Sequence, residues 1–144
     1  MMPLIIPVRI VPLAVSAEPG DTWSAQVTVR HKGPEVRVKV RVQVTPLDLP
    51  SDIQPLLTTW DDSSYHTFEA STDWNEHTFT GLSAQFPSTS LFWSLNLSGT
   101  IYFDGIVSIM DEAGNVLYSE IFEDVYTVSV PPFSHEWSVD VSWS

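Results

Sequence analysis

The sequence contains no cysteine, which excludes a disulfide framework, a thiolate metal site and a cysteine nucleophile. It also has no apolar run long enough to cross a lipid bilayer, so no membrane partner is expected. Helical spacing of apolar side chains is not kept over any stretch of about ten residues. Helix should therefore be a minor component of the fold.

Positive charge is scarce and unevenly placed. Six lysine and arginine residues stand against 18 aspartate and glutamate residues, which gives a net charge of −12. This balance argues against a nucleic-acid partner, because binding to phosphates needs a basic surface. All six basic residues lie in the first 41 positions, and they are Arg9, Arg30, Lys32, Arg37, Lys39 and Arg41. The protein thus combines one basic region with an acidic remainder.

Alternation of apolar and polar residues dominates what is present. A chain of 144 residues with 43% apolar residues fits one domain over 1–144. The period of two predicts an all-β fold, an antiparallel two-sheet sandwich of the jelly-roll type. Strands are expected at 22–30, 36–44, 65–70, 74–80, 90–98, 100–110, 115–122 and 125–130. The first two should form a hairpin across "HKGPE", and residues 111–115, "DEAGN", should form another hairpin turn.

Both ends of the chain are candidates for arms or edge strands, over residues 1–17 and 131–144. "FSHEWSVDVSWS" follows the Pro131-Pro132 pair and alternates tryptophan and valine with polar residues. A strand beyond such a stiff joint could pair with the open sheet edge of a neighbouring molecule. The longest loop is expected at 45–64.

The strand at 36–44 directs its valines inward and its basic side chains outward. Lysine on an exposed strand can simply guard against aggregation. However, clustered positive charge beside an acidic surface also suits contacts between protein subunits, because complementary potentials orient association. The residues predicted to take part in assembly are Arg30, Lys32, Arg37, Lys39, Arg41, Trp137 and Trp143.

Several short motifs occur in a familiar order. "AEPGDTWSAQVTVR", "STDWNEHTFTGL" and "SLNLSGTIYFDGIVSIMD" lie between Ala17 and Asp111, and together they cover roughly residues 18–110. This order resembles the jelly-roll carbohydrate-binding modules appended to xylanases and cellulases, which have a galactose-binding-like sandwich. The resemblance implies a β-sandwich and, as a second hypothesis, polysaccharide binding. Gly105 stands where the family usually has a second aspartate, which leaves Asp104 as the calcium candidate implied by the resemblance.

A sugar site needs exposed aromatic rings with polar groups beside them. The residues predicted to form one are Trp60, Asp61, Asp62 and Tyr65, at the end of the long loop. The alternative is that the six tryptophans mostly fill the core and the seams of a sandwich. Other acidic pairs, such as Glu123 and Asp124, offer oxygen ligands to calcium but have no spacing that requires a site.

No catalytic motif is present, so the protein is not expected to be an enzyme or to need a cofactor other than calcium. The N-terminal residues lack the basic region of a signal peptide, which predicts synthesis in a cytoplasm. Together with the divided charge and the terminal arms, this profile predicts a structural component of a larger particle. The leading hypothesis is a decoration, tail or fibre protein of a phage-like virion; a free-standing carbohydrate-binding module is the alternative.

Overall fold

The computed structural model describes residues 14–143, which form eight strands and two short helices. Arg9 lies outside the described residues. In chain order the elements are β1 (Val15–Ala17), β2 (Thr22–Gly33), β3 (Val36–Thr45), α1 (Gln54–Leu57), β4 (Thr59–Asp62), β5 (His66–Phe68), β6 (Ser71–Gln85), α2 (Thr89–Ser94), β7 (Gly99–Asp111) and β8 (Val116–Val130). The predicted all-β, sandwich-like fold with little helix is confirmed. Neither helix is long and apolar enough to span a membrane.

The strands form two sheets of very different width. The larger sheet has six strands in the order β1-β8-β7-β3-β4, and β5 also pairs with β3 on the same side as β4. Its pairs are antiparallel except for the parallel pair of β1 and β8. The smaller sheet consists of β2 and β6 alone, paired antiparallel.

The core lies between the two sheets. The larger sheet contributes the alternate valines of β3 and the rings of Phe68 and Phe103. From the smaller sheet, Trp23 and Phe79 bury their side chains against them, and α2 adds Phe92. The indole Nε1 of Trp23 donates a hydrogen bond of 2.8 Å to Thr59 Oγ1, which satisfies its polar group inside the core.

The prediction of a hairpin between 22–30 and 36–44 is wrong. Both segments are strands, but β2 pairs with β6 and β3 pairs with β7, in different sheets. The "HKGPE" turn is a corner between the sheets, and Gly33 adopts a φ of +133° there, which favours glycine. Because both strands alternate in the same way, the pattern does not distinguish a hairpin from a crossing between sheets.

The strand predicted at 90–98 is also wrong, because residues 89–94 form helix α2. Ser88 caps this helix, with the Leu91 amide donating to its side chain over 3.2 Å. Phe92 is the buried residue of this six-residue helix, and its side chain anchors the helix to the core. The long loop at 45–64 is likewise shorter than predicted, since it contains α1 and β4.

At the C-terminal end, β8 is one long strand with an irregularity where two strands were predicted. The pairing with β7 shifts between Phe103 and Gly105, and Asp124 has a φ of +50° at that point. The strand predicted beyond Pro132 is not formed within the single chain, because residues 131–143 have no regular structure.

Candidate functional site

The outer face of β3, which points away from the core, carries the basic side chains of this strand. Strand β4 runs antiparallel beside it, with Asp62 directly opposite Arg41 and Trp60 directly opposite Gln43. Directly opposite residues project from the same face of a sheet. This register therefore gathers basic, acidic and aromatic side chains on one surface.

One carboxylate pairs with two of these cations. Arg41 donates to Asp62 through Nε over 2.7 Å and through a second guanidinium nitrogen over 3.0 Å. Lys39 Nζ donates to the same carboxylate over 2.9 Å. The hydrogen bond from Arg41 is the main cause that holds the pKa of Asp62 below its usual value, and Lys39 lowers it further. The hydrogen bond to Asp62 raises the pKa values of both Lys39 and Arg41.

Two aromatic rings stack with the cations of this cluster. The guanidinium carbon of Arg41 lies 4.4 Å from the ring centroid of Trp60. Arg37 and Lys39 lie 5.3 Å and 5.5 Å from the ring of Tyr65. Such distances permit cation–π attraction. Three of the residues predicted for sugar binding, Trp60, Asp62 and Tyr65, thus form one surface cluster with the three basic residues of β3 predicted for assembly.

A shallow groove borders this cluster. Its volume is about 370 Å³, and Trp60 forms one wall while being 52% exposed. The amide and hydroxyl side chains that line the groove come from β3, from α1 and from the residue that follows α1, and they are Gln43, Thr45, Gln54 and Thr58. An exposed ring beside amides and hydroxyls is chemically suited to a hydroxylated ligand.

Asp61 stands apart from the other three predicted sugar-binding residues. It is opposite Val42 and so projects from the core side of the sheet. Its Oδ2 accepts a hydrogen bond of 2.9 Å from the amide of Ser83 in β6, and its Oδ1 accepts one from the Asp62 amide. The structure therefore shows Asp61 joining the two sheets at the edge formed by β4 and β6. Of the four predicted sugar-binding residues, Trp60 alone lines the groove.

Asp104 is 4% exposed and makes hydrogen bonds that organise the backbone. Its Oδ1 accepts from the amide of Asp124 over 2.7 Å, and its Oδ2 accepts from the amide of Leu47 over 3.2 Å. Asp48, Glu123 and Asp124 line a cavity of about 130 Å³ beside it. Within residues 14–143, no group of three or more His, Cys, Asp or Glu side chains is arranged to hold a metal ion. Calcium binding stays a prediction.

The other residues predicted for assembly lie elsewhere. Arg30 on β2 pairs with Glu76 at 3.2 Å, and Lys32 lies 4.6 Å from the ring of Trp74. Trp137 and Trp143 are 85% and 89% exposed in the C-terminal segment. The predicted set thus divides among the outer face of β3, the smaller sheet and the tail.

An aromatic cluster between the sheets was missed by the sequence analysis. The imidazoles of His66 on β5 and His77 on β6 stack in parallel, with centroids 3.6 Å apart. Phe68 and Phe79 contact them edge to face. Burial, followed by the charge of His77, lowers the pKa of His66. The two histidines are eleven positions apart in sequence (77 − 66), so only the tertiary fold brings them together.

A second missed feature is an exposed apolar surface at the start of β8. Its large side chains are each about half exposed, and they are Val116, Leu117, Tyr118, Ile121 and Phe122.

Comparison of the chain with protein-family models and with curated proteins finds no match.

Proposed function

We propose that the protein is a non-catalytic structural component of a larger assembly, held in place by protein–protein contacts. A decoration, tail or fibre protein of a phage-like virion is the form of assembly that fits best with an acidic β-sandwich bearing an exposed arm with alternating apolar and polar residues. The observation that carries the proposal is the exposed apolar surface at the start of β8 together with the exposed tail over residues 131–143.

Such a surface is unfavourable in water. Burial of apolar area contributes roughly 25 cal/mol per Å², and monomeric proteins rarely expose contiguous apolar patches beyond a few hundred Å². In β8 the exposed apolar residues occur on both faces of the strand, and in the tail Phe133 and two tryptophans are more than half exposed. Aromatic residues are also enriched at the centres of protein interfaces. A partner protein would cover this surface.

The charges support an apolar rather than an electrostatic interface. On the outer face of β3, Asp62 already pairs with both Lys39 and Arg41, and Arg37 lies 3.9 Å from Glu112. Exposed ion pairs contribute only about 0–1 kcal/mol each. We therefore expect association that persists at high salt.

Light scattering across protein concentration and salt tests this proposal. The wild type should form oligomers, and the variant Tyr118→Ser/Phe122→Ser should shift towards the monomer. Arg37→Ser is the matched control on the basic strand and should associate as the wild type does. Oligomers that dissociate at high salt, and that Arg37→Ser does not form, would show that the interface lies on the basic strand instead. A monomer at every concentration would overturn the proposal.

The groove beside Trp60 favours a second function, polysaccharide binding, which is compatible with the first. Here Trp60 would stack on a sugar ring while the side-chain amide of Gln43 binds its hydroxyls, because Gln54 Nε2 and Thr58 Oγ1 already donate hydrogen bonds within the chain. Titration with soluble xylan and with cello-oligosaccharides is the test. Binding should be lost in Trp60→Ala and kept in Trp74→Ala, which removes an exposed tryptophan outside the groove. Absence of binding by the wild type, or equal binding by both variants, would exclude this site for these sugars.

A further inference from the structure

The smaller sheet has one edge that is joined to the larger sheet and one that is open. On the β6 side, Asp61 of β4 accepts the hydrogen bond from Ser83, and the stacked histidines lie between β5 and β6. On the other side, β2 pairs with no further strand of residues 14–143. An open edge presents a row of backbone N–H and C=O groups that can pair with another chain.

The larger sheet is uncovered next to this open edge. Val40 is directly opposite Ile109, and Ile109 is directly opposite Tyr118, so the three side chains share the core face of the sheet. Val40 is 0% exposed, whereas Tyr118 is 57% exposed. Farther along β8, the Tyr126 hydroxyl donates to the carbonyl of Ser24 in β2 over 3.1 Å, which places β8 beside β2. A strand added to β2 would lie against the uncovered part of β8.

The tail has the pattern that such a strand needs. Trp137, Val139, Val141 and Trp143 alternate with Glu136, Ser138, Asp140 and Ser142. Strand β2 has the same alternation, with Val27 and Val29 on the core face and Thr28, Arg30 and Lys32 on the outer face. Pairing the two in phase extends the core with apolar side chains, and it places the carboxylates of the tail beside the cations of β2.

One register of the added strand places a carboxylate opposite Arg30 whether the strand runs parallel or antiparallel to β2. If Ser138 lies opposite Thr28, an antiparallel strand places Glu136 opposite Arg30, and a parallel strand places Asp140 there. Arg30 already pairs with Glu76 on its other side. The added carboxylate would thus leave it between two acidic side chains.

The tail leaves its own domain at a fixed point. Trp93 Nε1 donates to the carbonyl of Pro131 over 2.9 Å, and the Trp93 ring contacts Phe133 with centroids 6.1 Å apart. Beyond this anchor the side chains of the tail are exposed in the single chain. We infer that residues 134–143 of one copy add as a strand to the open edge of β2 in a second copy. The inference rests on the proposed function and names the interface for it.

Disulfide trapping between two single-cysteine proteins tests this pairing, and the absence of native cysteine makes the result clean. Paired strands lie about 4.8 Å apart, and a disulfide needs Cα atoms roughly 4.4–6.8 Å apart. Thr28→Cys mixed with Ser138→Cys should give a cross-linked heterodimer under mild oxidation. Thr78→Cys is the matched control, because Thr78 lies opposite Thr28 on the same face, one strand farther from the tail.

The expected result is several-fold more heterodimer with Thr28→Cys than with Thr78→Cys, and its loss when Trp137→Ser/Trp143→Ser is added to the tail. Wild-type oligomers without this cross-link would overturn the inference and leave the proposed function standing. A monomeric wild type would overturn both. Association unchanged by the two tryptophan substitutions would show that the tail does not hold the copies together, and it would overturn the inference. An intrachain disulfide in a monomeric Thr28→Cys/Ser138→Cys protein would exclude the second copy as the source of the strand.

Discussion

Two regions on the same face of the larger sheet behave in opposite ways. At β3 the core-facing side chains are sealed by the smaller sheet, and Val40 has no exposed surface. Two strands away, at the start of β8, Tyr118 lies on that same face and is more than half exposed. The difference follows from width, because two strands spaced about 4.8 Å apart cannot cover a sheet of six.

The side chains that stabilise the single chain and those available for association lie in different parts of this face. Where the sheets overlap, aromatic rings and valines pack as a core. On the outer face of β3, Lys39 and Arg41 form ion pairs with Asp62. Where they do not overlap, the core-facing side chains of Tyr118 and Phe122 stay in contact with water. The layer lying opposite therefore decides which apolar residues of this face stabilise the single chain.

The largest contrast is expected between Phe103→Ala and Tyr118→Ser. Phe103 is fully buried and packs against Phe86 and Phe92, so its truncation should cost about 3–5 kcal/mol of unfolding free energy. Tyr118→Ser should change the unfolding free energy of the monomer by only about 0.5 kcal/mol. Denaturant titration at low protein concentration measures both values. Comparable losses would mean that Tyr118 is covered in the single chain.

A smaller effect is expected from Asp62→Asn. The amide of asparagine lacks the negative charge and one of the two acceptor oxygens that Lys39 and Arg41 share, and loss of these charged hydrogen bonds at this half-buried site should cost about 1–2 kcal/mol. Because the folded state lowers the pKa of Asp62, this stabilisation is present above the ordinary value of 3.8 and is lost as the pH falls below it.

Glu76→Gln is the matched control for Asp62→Asn, since it removes one exposed ion pair with Arg30. Its cost in the same denaturant titration should be near zero. If Glu76→Gln lowered the unfolding free energy as much as Asp62→Asn, the ion cluster on β3 would contribute no more to stability than an ordinary exposed ion pair.

The strands of the molecule were largely predictable from their alternation. The β3 valines are buried as predicted, and "DEAGN" connects β7 to β8, with Gly114 at a φ of +86°. Both results follow from local rules, namely the period of two and the backbone freedom of glycine. The carbohydrate and assembly candidates on β3 and β4 met on one surface because residues 36–62 return along the same edge.

What could not be predicted depends on which strand pairs with which. The sequence does not show that β2 leaves β3 at Gly33 to join β6, and from this crossing follow the two-stranded sheet, its open edge and the uncovered Tyr118. "LFWSLNLS" alternates like a strand, but the cap at Ser88 and the burial of Phe92 made a helix of its first part. The stack of His66 on His77 likewise needs the two sheets in place.

The smallest effect concerns that stack, which lies at the sealed side of the sandwich. The folded state lowers the pKa of His66 below its ordinary value of 6.5, chiefly through burial and then through His77. The unfolded chain therefore takes up the proton first, and stability should fall as the pH drops through 6.5.

In His66→Phe this part of the acid sensitivity should disappear, whereas His135→Phe, in the exposed tail, should keep it. Unfolding titrations at about pH 7.5 and about pH 5.5 bracket the histidine range and measure the difference. Equal acid sensitivity in the wild type and His66→Phe would show that the stack does not resist protonation, and the sealed side would then owe its stability to apolar packing alone.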